Sequence, residues 1–179
     1  GIFTMQDNTM GFMLELSPVP YSGEKTISAI TDVLNYPWPK DTIIQFIMLA
    51  DPWQEPLLDN YLGMRNRRFA GSGDSMHMDM LLQDWSRQYC EYLKRNRNRG
   101  ISMDFPVPFR NFRCFFTAKR PFNEKNADDE FAGMAALRDM VQGALKTGNL
   151  SSANMPPEEL LHLVRRLFNP NHEPDEAHG

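Results

Sequence analysis

The sequence predicts an α+β fold: a small mixed or antiparallel sheet opened by an N-terminal hairpin, helices packed mainly on one face, and a C-terminal helical pair. Three features support this fold class. Apolar residues alternate with polar ones near the N-terminus, as in a half-buried strand. In several later segments they recur at spacings of three and four, as in amphipathic helices. The 179 residues are 41% hydrophobic and 23% charged, which is typical of a globular chain.

The N-terminal segment predicts a β-hairpin. From Met10 onward the apolar side chains fall on one face with a period of two: Met10, Phe12, Leu14 and Leu16. Gly1–Met5 predicts the partner strand, because the turn-forming residues Gln6–Thr9 separate the two. A lone hairpin is marginally stable in water, so we expect later elements to cover its apolar face.

The next segments predict a helix, a strand and a short helix. Ser22 can cap the first helix, whose predicted apolar stripe is Ile27, Ile30, Val33 and Leu34. Thr42–Ala50 is a continuous, β-branched apolar run, which predicts a central strand covered on both faces. Pro56–Met64 predicts a short helix, and Phe69–Gly73 is a loop by composition.

A long helix and a further strand follow. The helix is capped by Asp74 or Ser75, ends at Gly100, and is expected to pack one face on the sheet. The residues predicted on that face are Met78, Leu81, Leu82, Trp85, Tyr89, Tyr92 and Leu93. Alternation over Phe112–Lys119 predicts the next strand.

The C-terminal part predicts two helices and a tail. The first runs from Asp128 to about Thr147, with Phe131, Met134, Leu137, Val141 and Leu145 as core candidates. After a polar connection over Asn149–Met155, the last helix ends at Asn169-Pro170. Its predicted inward residues are Leu160, Leu161, Val164, Leu167 and Phe168. We expect a single domain over residues 1–170 and a disordered polar tail over 171–179.

No segment carries a recognisable catalytic, cofactor-binding or metal-binding motif. The loop Ala70–Ser75 is not followed by the Lys-Ser or Lys-Thr of a phosphate-binding loop. His77 and Asp79 are two residues apart on a helix, so their side chains do not face each other. The acidic run Asp128–Glu130 is explained by the dipole at a helix start. The sequence therefore predicts no enzyme site in this chain.

The cysteines indicate a reducing compartment. Cys90 and Cys114 both lie inside apolar patterns, one on a predicted helix and one on a predicted strand. Buried free thiols fit this placement better than a disulfide.

Basic residues provide the candidate interaction site. They form two clusters, Arg65, Arg67 and Arg68, then Lys94, Arg95, Arg97 and Arg99. Such clusters could bind a phosphate backbone or anionic lipid. The second cluster also falls where a helix C-terminus favours cations, and the net charge of −4 argues against a dedicated nucleic-acid-binding domain. A solvated face or a protein contact is therefore the preferred interpretation, and nucleic-acid binding stays open.

Several short segments carry a resemblance to a known family. They are spread over nearly the whole chain: Gly1–Met5, Asp7-Asn8, Gly11–Pro18, Ile43–Ala50, Phe112–Lys119 with its continuation Lys119-Arg120-Pro121, and Glu158–Pro170. Together they resemble the amino-terminal region of the VirB-type ATPases of type IV secretion, which assemble conjugative pili. The chain does not begin with Met and ends in a polar tail. We therefore expect it to be a piece of a longer protein.

The resemblance implies a docking role. In that family ATP and Mg²⁺ are bound by a carboxy-terminal domain with Walker motifs, and the Gly-x4-Gly-Lys-Ser/Thr pattern does not occur in this sequence. The expected function is a non-catalytic docking and assembly domain, cytoplasmic and peripheral to the bacterial inner membrane. Its expected partners are inner-membrane and cytoplasmic components of the secretion channel and sister subunits in a hexamer. The alternatives are a nucleic-acid-binding module that uses the two basic clusters, and a small enzyme with a site built from scattered residues.

Overall fold

The computed structural model describes residues 1–18, 23–69, 76–96 and 107–169. Its elements are, in chain order, β1 (Ile2–Met5), β2 (Thr9–Leu16), α1 (Glu24–Asn35), β3 (Ile43–Asp51), α2 (Glu55–Phe69), α3 (Met76–Arg95), β4 (Asn111–Pro121), a 3-10 turn (Glu124–Asn126), α4 (Ala127–Thr147), β5 (Ser152–Asn154) and α5 (Pro157–Phe168). The α+β fold class is confirmed. The predicted caps Ser22, Asp74 and Ser75, the helix end at Gly100 and the tail 171–179 lie outside the described residues.

The chain divides into two compact units. Residues 1–48, together with the chain from Cys114 onward, form the first unit, and residues 49–113 form the second. A single domain over residues 1–170 stays a prediction.

The predicted hairpin is confirmed. β1 and β2 pair antiparallel, from Ile2 opposite Phe12 to Met5 opposite Thr9. The turn closes with a hydrogen bond of 3.2 Å that the Asn8 amide donates to the Met5 carbonyl. Asn8 has a φ of 55°, a left-handed conformation that asparagine tolerates better than most residues.

The hairpin turn is tied to β4 by an exposed ion pair. Lys119 Nζ lies 2.7 Å from Asp7 Oδ2, and the Thr9 hydroxyl donates a second hydrogen bond to the same carboxylate. The hydrogen bond from Lys119 is the largest of the effects that hold the pKa of Asp7 below its usual range. Because the folded pKa lies below the unfolded one, this stabilisation is present above the unfolded value and is lost as the pH falls through the folded one.

Replacing Lys119 by methionine is therefore expected to raise the pKa of Asp7. The methionine keeps much of the side-chain length but removes the donated hydrogen bond and the charge. An NMR titration of the Asp7 carboxyl in both proteins measures the difference. Identical midpoints would show that Lys119 does not perturb Asp7.

The sheet has the strand order β1-β2-β4-β3. β4 pairs antiparallel with β2 along the full length of β2, from Thr9 opposite Pro121 to Leu16 opposite Cys114. The other edge of β2 is shared, because β1 occupies its first half and β5 pairs antiparallel with its end. β5 lies within the segment predicted as a polar connection, so that prediction is wrong: three residues are too few to show a period in the sequence.

The predicted central position of β3 is wrong. The strand exists, at Ile43–Asp51, but it lies at the end of the strand order with β4 as its neighbour. The apolar side chains Ile43, Phe46, Ile47 and Met48 are exposed. β4 takes the interior position instead, and its Phe115 and Phe116 are both fully buried on opposite faces of the sheet.

The core of the first unit lies between the sheet and two helices. Its buried residues are Met10, Phe12, Leu14, Leu16, Phe116 and Ala118 from the sheet, Val33 from α1, Leu150, and Met134, Leu137, Val141 and Leu145 from α4. The predicted inward faces of the hairpin and of α4 are confirmed, except that Phe131 is partly exposed and packs edge-on against Phe122. The acidic start of α4 also has a tertiary role, because Glu130 forms a half-buried ion pair with Arg120 of β4.

The apolar stripe of α1 is rotated from the predicted one. Thr26, Ala29 and Val33 are buried, whereas Ile27 and Leu34 are exposed. The reason is the close approach of α1 to the end of α4: the Thr26 hydroxyl donates a buried hydrogen bond of 2.9 Å to the Gly148 carbonyl. Small side chains fit this contact and a large aliphatic one does not.

The second unit is built on the pair α2 and α3. Its core contains the buried residues Leu58, Cys90 and Leu93, with Tyr61, Leu62 and Phe109 packed against them. α2 extends to Phe69, beyond the predicted end at Met64. The face predicted to be inward on α3 is mostly wrong. From residue 80 onward, where its side chains are described, Leu81, Trp85, Tyr89 and Tyr92 are exposed, and the buried residues are Ser86, Cys90 and Leu93. The side chain of Met78 lies outside the described part of the structure.

α5 contacts the rest of its unit along one edge. Leu163 is buried and Leu160 is half-buried. The other residues predicted to face inward are exposed, namely Leu161, Val164, Leu167 and Phe168. The helix is therefore amphipathic as predicted, but most of its apolar face is open to solvent.

Candidate docking surfaces

The first basic cluster lies at the C-terminal end of α2. The Arg65 guanidinium carbon lies 5.4 Å from the centroid of the Tyr61 ring, one helical turn earlier. Such a cation–π contact holds the side chain along the helix surface. Arg67 and Arg68 belong to α2, but their side chains lie outside the described part of the structure.

The second basic cluster begins at the C-terminal end of α3. Lys94 Nζ lies 4.0 Å from Asp59 Oδ1 of α2, and Arg95 is exposed. An exposed pair at this distance contributes little to stability. Arg97 and Arg99 fall outside the described residues.

The first described residues of the two basic clusters lie at different positions along the axis of α2. Lys94 lies beside Asp59, near the N-terminal end of α2. Arg65 lies six residues further along α2, about 9 Å along the helix axis at the usual rise per residue.

An exposed aromatic stripe runs along α3. Leu81, Trp85, Tyr89 and Tyr92 follow one another at spacings of four and three, so they share one face of the helix. All of them are exposed, and Trp85 retains 64% of its accessible surface. Trp and Tyr combine a large apolar surface with one polar group and are enriched at protein interfaces. We call these four residues the α3 stripe.

Two further exposed apolar surfaces lie on α5 and β3. The α5 face consists of Leu161, Val164, Leu167 and Phe168, and Phe168 is 80% exposed. The β3 edge consists of the strand segment Ile43–Ala50, with Met48 73% exposed. Contiguous apolar surface of this kind marks interaction sites in soluble proteins.

The described residues contain no grouping suited to metal chemistry. No set of three or more His, Cys, Asp or Glu side chains within this part of the chain converges to hold a metal ion. His162 is exposed on α5. Within the same described ranges, every helix is too short or too polar to cross a bilayer.

The two thiols differ in accessibility. Cys90 is buried between α2 and α3, and this burial is the main reason that the pKa of its thiol is raised. Cys114 is half-buried on β4, and both are free. A thiol reacts as its thiolate, so burial and a raised pKa both slow Cys90.

We therefore expect one thiol to react fast in the native protein. Under a mild excess of a disulfide reagent at pH 8, Cys114 is expected to be modified first, and Cys90 only after unfolding in urea. Replacing Cys114 by serine should remove the fast phase alone. Two equal rates in the native protein would contradict the burial of Cys90.

Comparison with known proteins relates the chain to one family. The family model described as TraC protein matches residues 1–178. Protein TraC of Escherichia coli (strain K12) is 23% identical over 178 residues, which are 98% of this chain and 19% of that protein. The chain thus spans about a fifth of the length of this relative. No solved structure matches the chain.

Proposed function

The chain belongs to the TraC protein family, and from this membership we propose that it is the amino-terminal docking domain of a type IV secretion ATPase that assembles conjugative pili. The domain itself carries out no catalysis in this proposal. ATP and Mg²⁺ are bound by a part of the ATPase outside this chain. The match over nearly the whole chain, against a fifth of the relative, supports a role as one part of a larger machine.

The observation that carries the docking role is the exposed α3 stripe. The second unit has a buried core of its own, yet it leaves Trp85, Tyr89 and Tyr92 in solvent on the next face of the same helix. Burying one large apolar side chain at an interface contributes roughly 1.5–3 kcal/mol. Trp and Tyr also dominate the few residues that supply most of the affinity in protein complexes.

The proposed partners are inner-membrane and cytoplasmic components of the secretion channel, together with sister subunits of a hexamer. The domain is cytoplasmic and peripheral to the inner membrane in this proposal. The observations favour this role over nucleic-acid binding, because Arg65 contacts Tyr61 and Lys94 lies next to Asp59. The Tyr61 ring holds the Arg65 side chain along the helix, and the Asp59 carboxylate offsets part of the Lys94 charge.

The test is recruitment of the full-length ATPase to the inner membrane of cells that make the whole channel. We expect the double substitution Trp85→Ser, Tyr89→Ser to weaken the affinity of the ATPase for the membrane-bound channel at least about tenfold, the effect of losing roughly 1.4 kcal/mol of binding energy, and so to lower the membrane-bound fraction. The matched control is Arg87→Ser, Glu91→Ser, which changes two exposed residues of α3 outside the stripe. Circular dichroism and the ATP hydrolysis rate of the purified proteins verify folding.

An unchanged membrane-bound fraction for the α3-stripe variant would overturn the docking role assigned to this face. Loss of salt-dependent binding to single-stranded DNA in that variant, with recruitment intact, would support a nucleic-acid-binding module instead.

A further inference from the structure

Two neighbouring strands connect the two compact units. The chain passes from the first unit to the second between Met48 and Leu49, and it returns between Arg113 and Cys114. The first crossing lies inside β3 and the second inside β4. β3 and β4 are hydrogen-bonded neighbours in the sheet, so both covalent connections run through one pair of strands.

The sheet narrows to these two strands at the boundary between the units. The ladder between β2 and β4 ends with Leu16 opposite Cys114, and Leu16 is also the last residue of β2. β4 begins three residues before this point, at Asn111, and β3 continues beyond its own crossing. Among the described strands, β3 and β4 alone extend into the second unit. We call residues 49–50 and 111–113 the β3–β4 ribbon.

The β3–β4 ribbon is open to solvent. None of its five residues is buried: Ala50 and Phe112 are exposed, and the other three are half-buried. Phe112 retains 57% of its accessible surface, and Met48 at the first crossing retains 73%. A ribbon of two strands varies its twist more than a wider sheet does, and it has little stability of its own when its faces are not covered.

Each end of the β3–β4 ribbon is held by its own unit. In the first unit, the Phe46 ring of β3 packs edge-on against Phe116 of β4 at a centroid distance of 5.0 Å. In the second unit, Asp51 is buried, and the Gln54 side-chain amide donates a hydrogen bond to the Phe109 carbonyl. Asp51 follows the ribbon directly on β3, and Phe109 lies two residues before β4. A change in backbone angles is therefore easiest in the ribbon between these anchors.

We propose that the β3–β4 ribbon is a hinge about which the second unit changes its orientation relative to the first. Each unit has a hydrophobic core of its own, and units of this kind commonly move as bodies. Hinges consist of a few residues, often at the ends of secondary-structure elements, that absorb the change in backbone angles. The α3 stripe belongs to the second unit, so the motion carries this surface with it. The inference concerns a motion and does not rest on the proposed docking function.

The test is the distribution of distances between two spin labels on the purified chain, measured by double electron–electron resonance. Labels on Ala136→Cys of α4 and Arg87→Cys of α3 report on the two units, and both positions are exposed. We expect this distribution to be at least about twice as broad as that of the control pair Ala136→Cys and Ser28→Cys, which lies entirely in the first unit. Cys114→Ser removes the more accessible native thiol from every protein, and Cys90 is buried.

A glycine substitution tests whether the motion occurs at the β3–β4 ribbon. Ala50→Gly adds backbone freedom inside the ribbon and is expected to broaden the distribution between the units further. Ile43→Gly is the matched control, because it changes an exposed residue of the same strand within the first unit. We expect it to leave this distribution unchanged.

Two results would overturn the hinge. One is a distribution between the units that is as narrow as that of the control pair. The other is equal breadth in the Ala50→Gly and Ile43→Gly proteins. A narrow distribution, together with loss of membrane recruitment in the α3-stripe variant, overturns the hinge alone and leaves the docking function standing.

Discussion

Replacing Phe116 by alanine is expected to lower the free energy of unfolding by about 3–5 kcal/mol, the usual cost of removing a buried aromatic side chain. Phe116 is fully buried in the middle of β4. Its ring contacts Phe12 at a centroid distance of 6.1 Å, Trp38 at 6.2 Å and Phe46 at 5.0 Å. No single neighbour can fill the cavity, because the contacts come from three separate segments of the chain.

Urea denaturation followed by circular dichroism measures this loss. Domains are commonly stable by only about 5–15 kcal/mol, so Phe116→Leu provides a milder variant if the alanine protein does not fold. Phe168→Ala is the matched control, because Phe168 is 80% exposed, and its effect is expected within about 0.5 kcal/mol. Equal losses for Phe116→Ala and Phe168→Ala would contradict the position of Phe116 in the core.

Replacing Gly11 by alanine is expected to destabilise the protein by about 1–3 kcal/mol, the range for overpacking a tight site. Gly11 lies in the middle of β2, paired with Lys119 of β4. An alanine Cβ at this position would collide with the backbone carbonyl oxygen of Ala118 and would lie 3.3 Å from the Lys119 Cα. Backbone atoms of a central strand cannot move aside as the end of a flexible side chain can.

Gly143→Ala provides the control for this substitution. Gly143 lies in α4, and a Cβ built there would meet nothing within 4 Å. Alanine is expected to stabilise α4 by up to about 1 kcal/mol, since glycine is a poor helix former. Thermal unfolding of the two variants should therefore shift in opposite directions. A Gly11→Ala variant with unchanged stability would contradict the close approach of the β4 backbone to Gly11.

Sequence patterns predicted the segments whose conformation is determined by their own residues. The period of two from Met10 to Leu16 predicts one apolar face, and α4 packs against that face. α4 ends at Thr147, as predicted, and Gly148 follows as its C-cap, because glycine suits a helix end. Local signals were strong in these segments and agreed with the tertiary structure.

The wrong predictions for β3 and α3 share one cause. A run such as Ile43–Ala50 is equally apolar in a buried central strand and in an edge strand that forms an interface. The spacing of Trp85 and Tyr89 likewise identifies a helix face but not what covers it. Besides Leu93, the buried positions described on α3 are Ser86 and Cys90, which apolar periodicity ranks below the aromatic residues.

The candidate site was predicted from charge alone, although the residue types of the α3 stripe also indicate an interaction surface. Lys94 and Arg95 lie at a helix end, as predicted, whereas Arg65 lies inside α2, which extends beyond its predicted end. The α3 stripe was predicted as core, although its residues are Trp and Tyr, which keep a polar group, rather than Leu or Ile. This composition favours an interface over a core.

Transfer of a conjugative plasmid from donor cells tests the docking role most directly. The donors should contain the full-length ATPase only as the Trp85→Ser, Tyr89→Ser variant, at wild-type abundance and with wild-type ATP hydrolysis in vitro. We expect the transfer frequency to fall at least about tenfold, while Arg87→Ser, Glu91→Ser transfers normally. Wild-type transfer by the α3-stripe variant would contradict a docking role for this domain through that face.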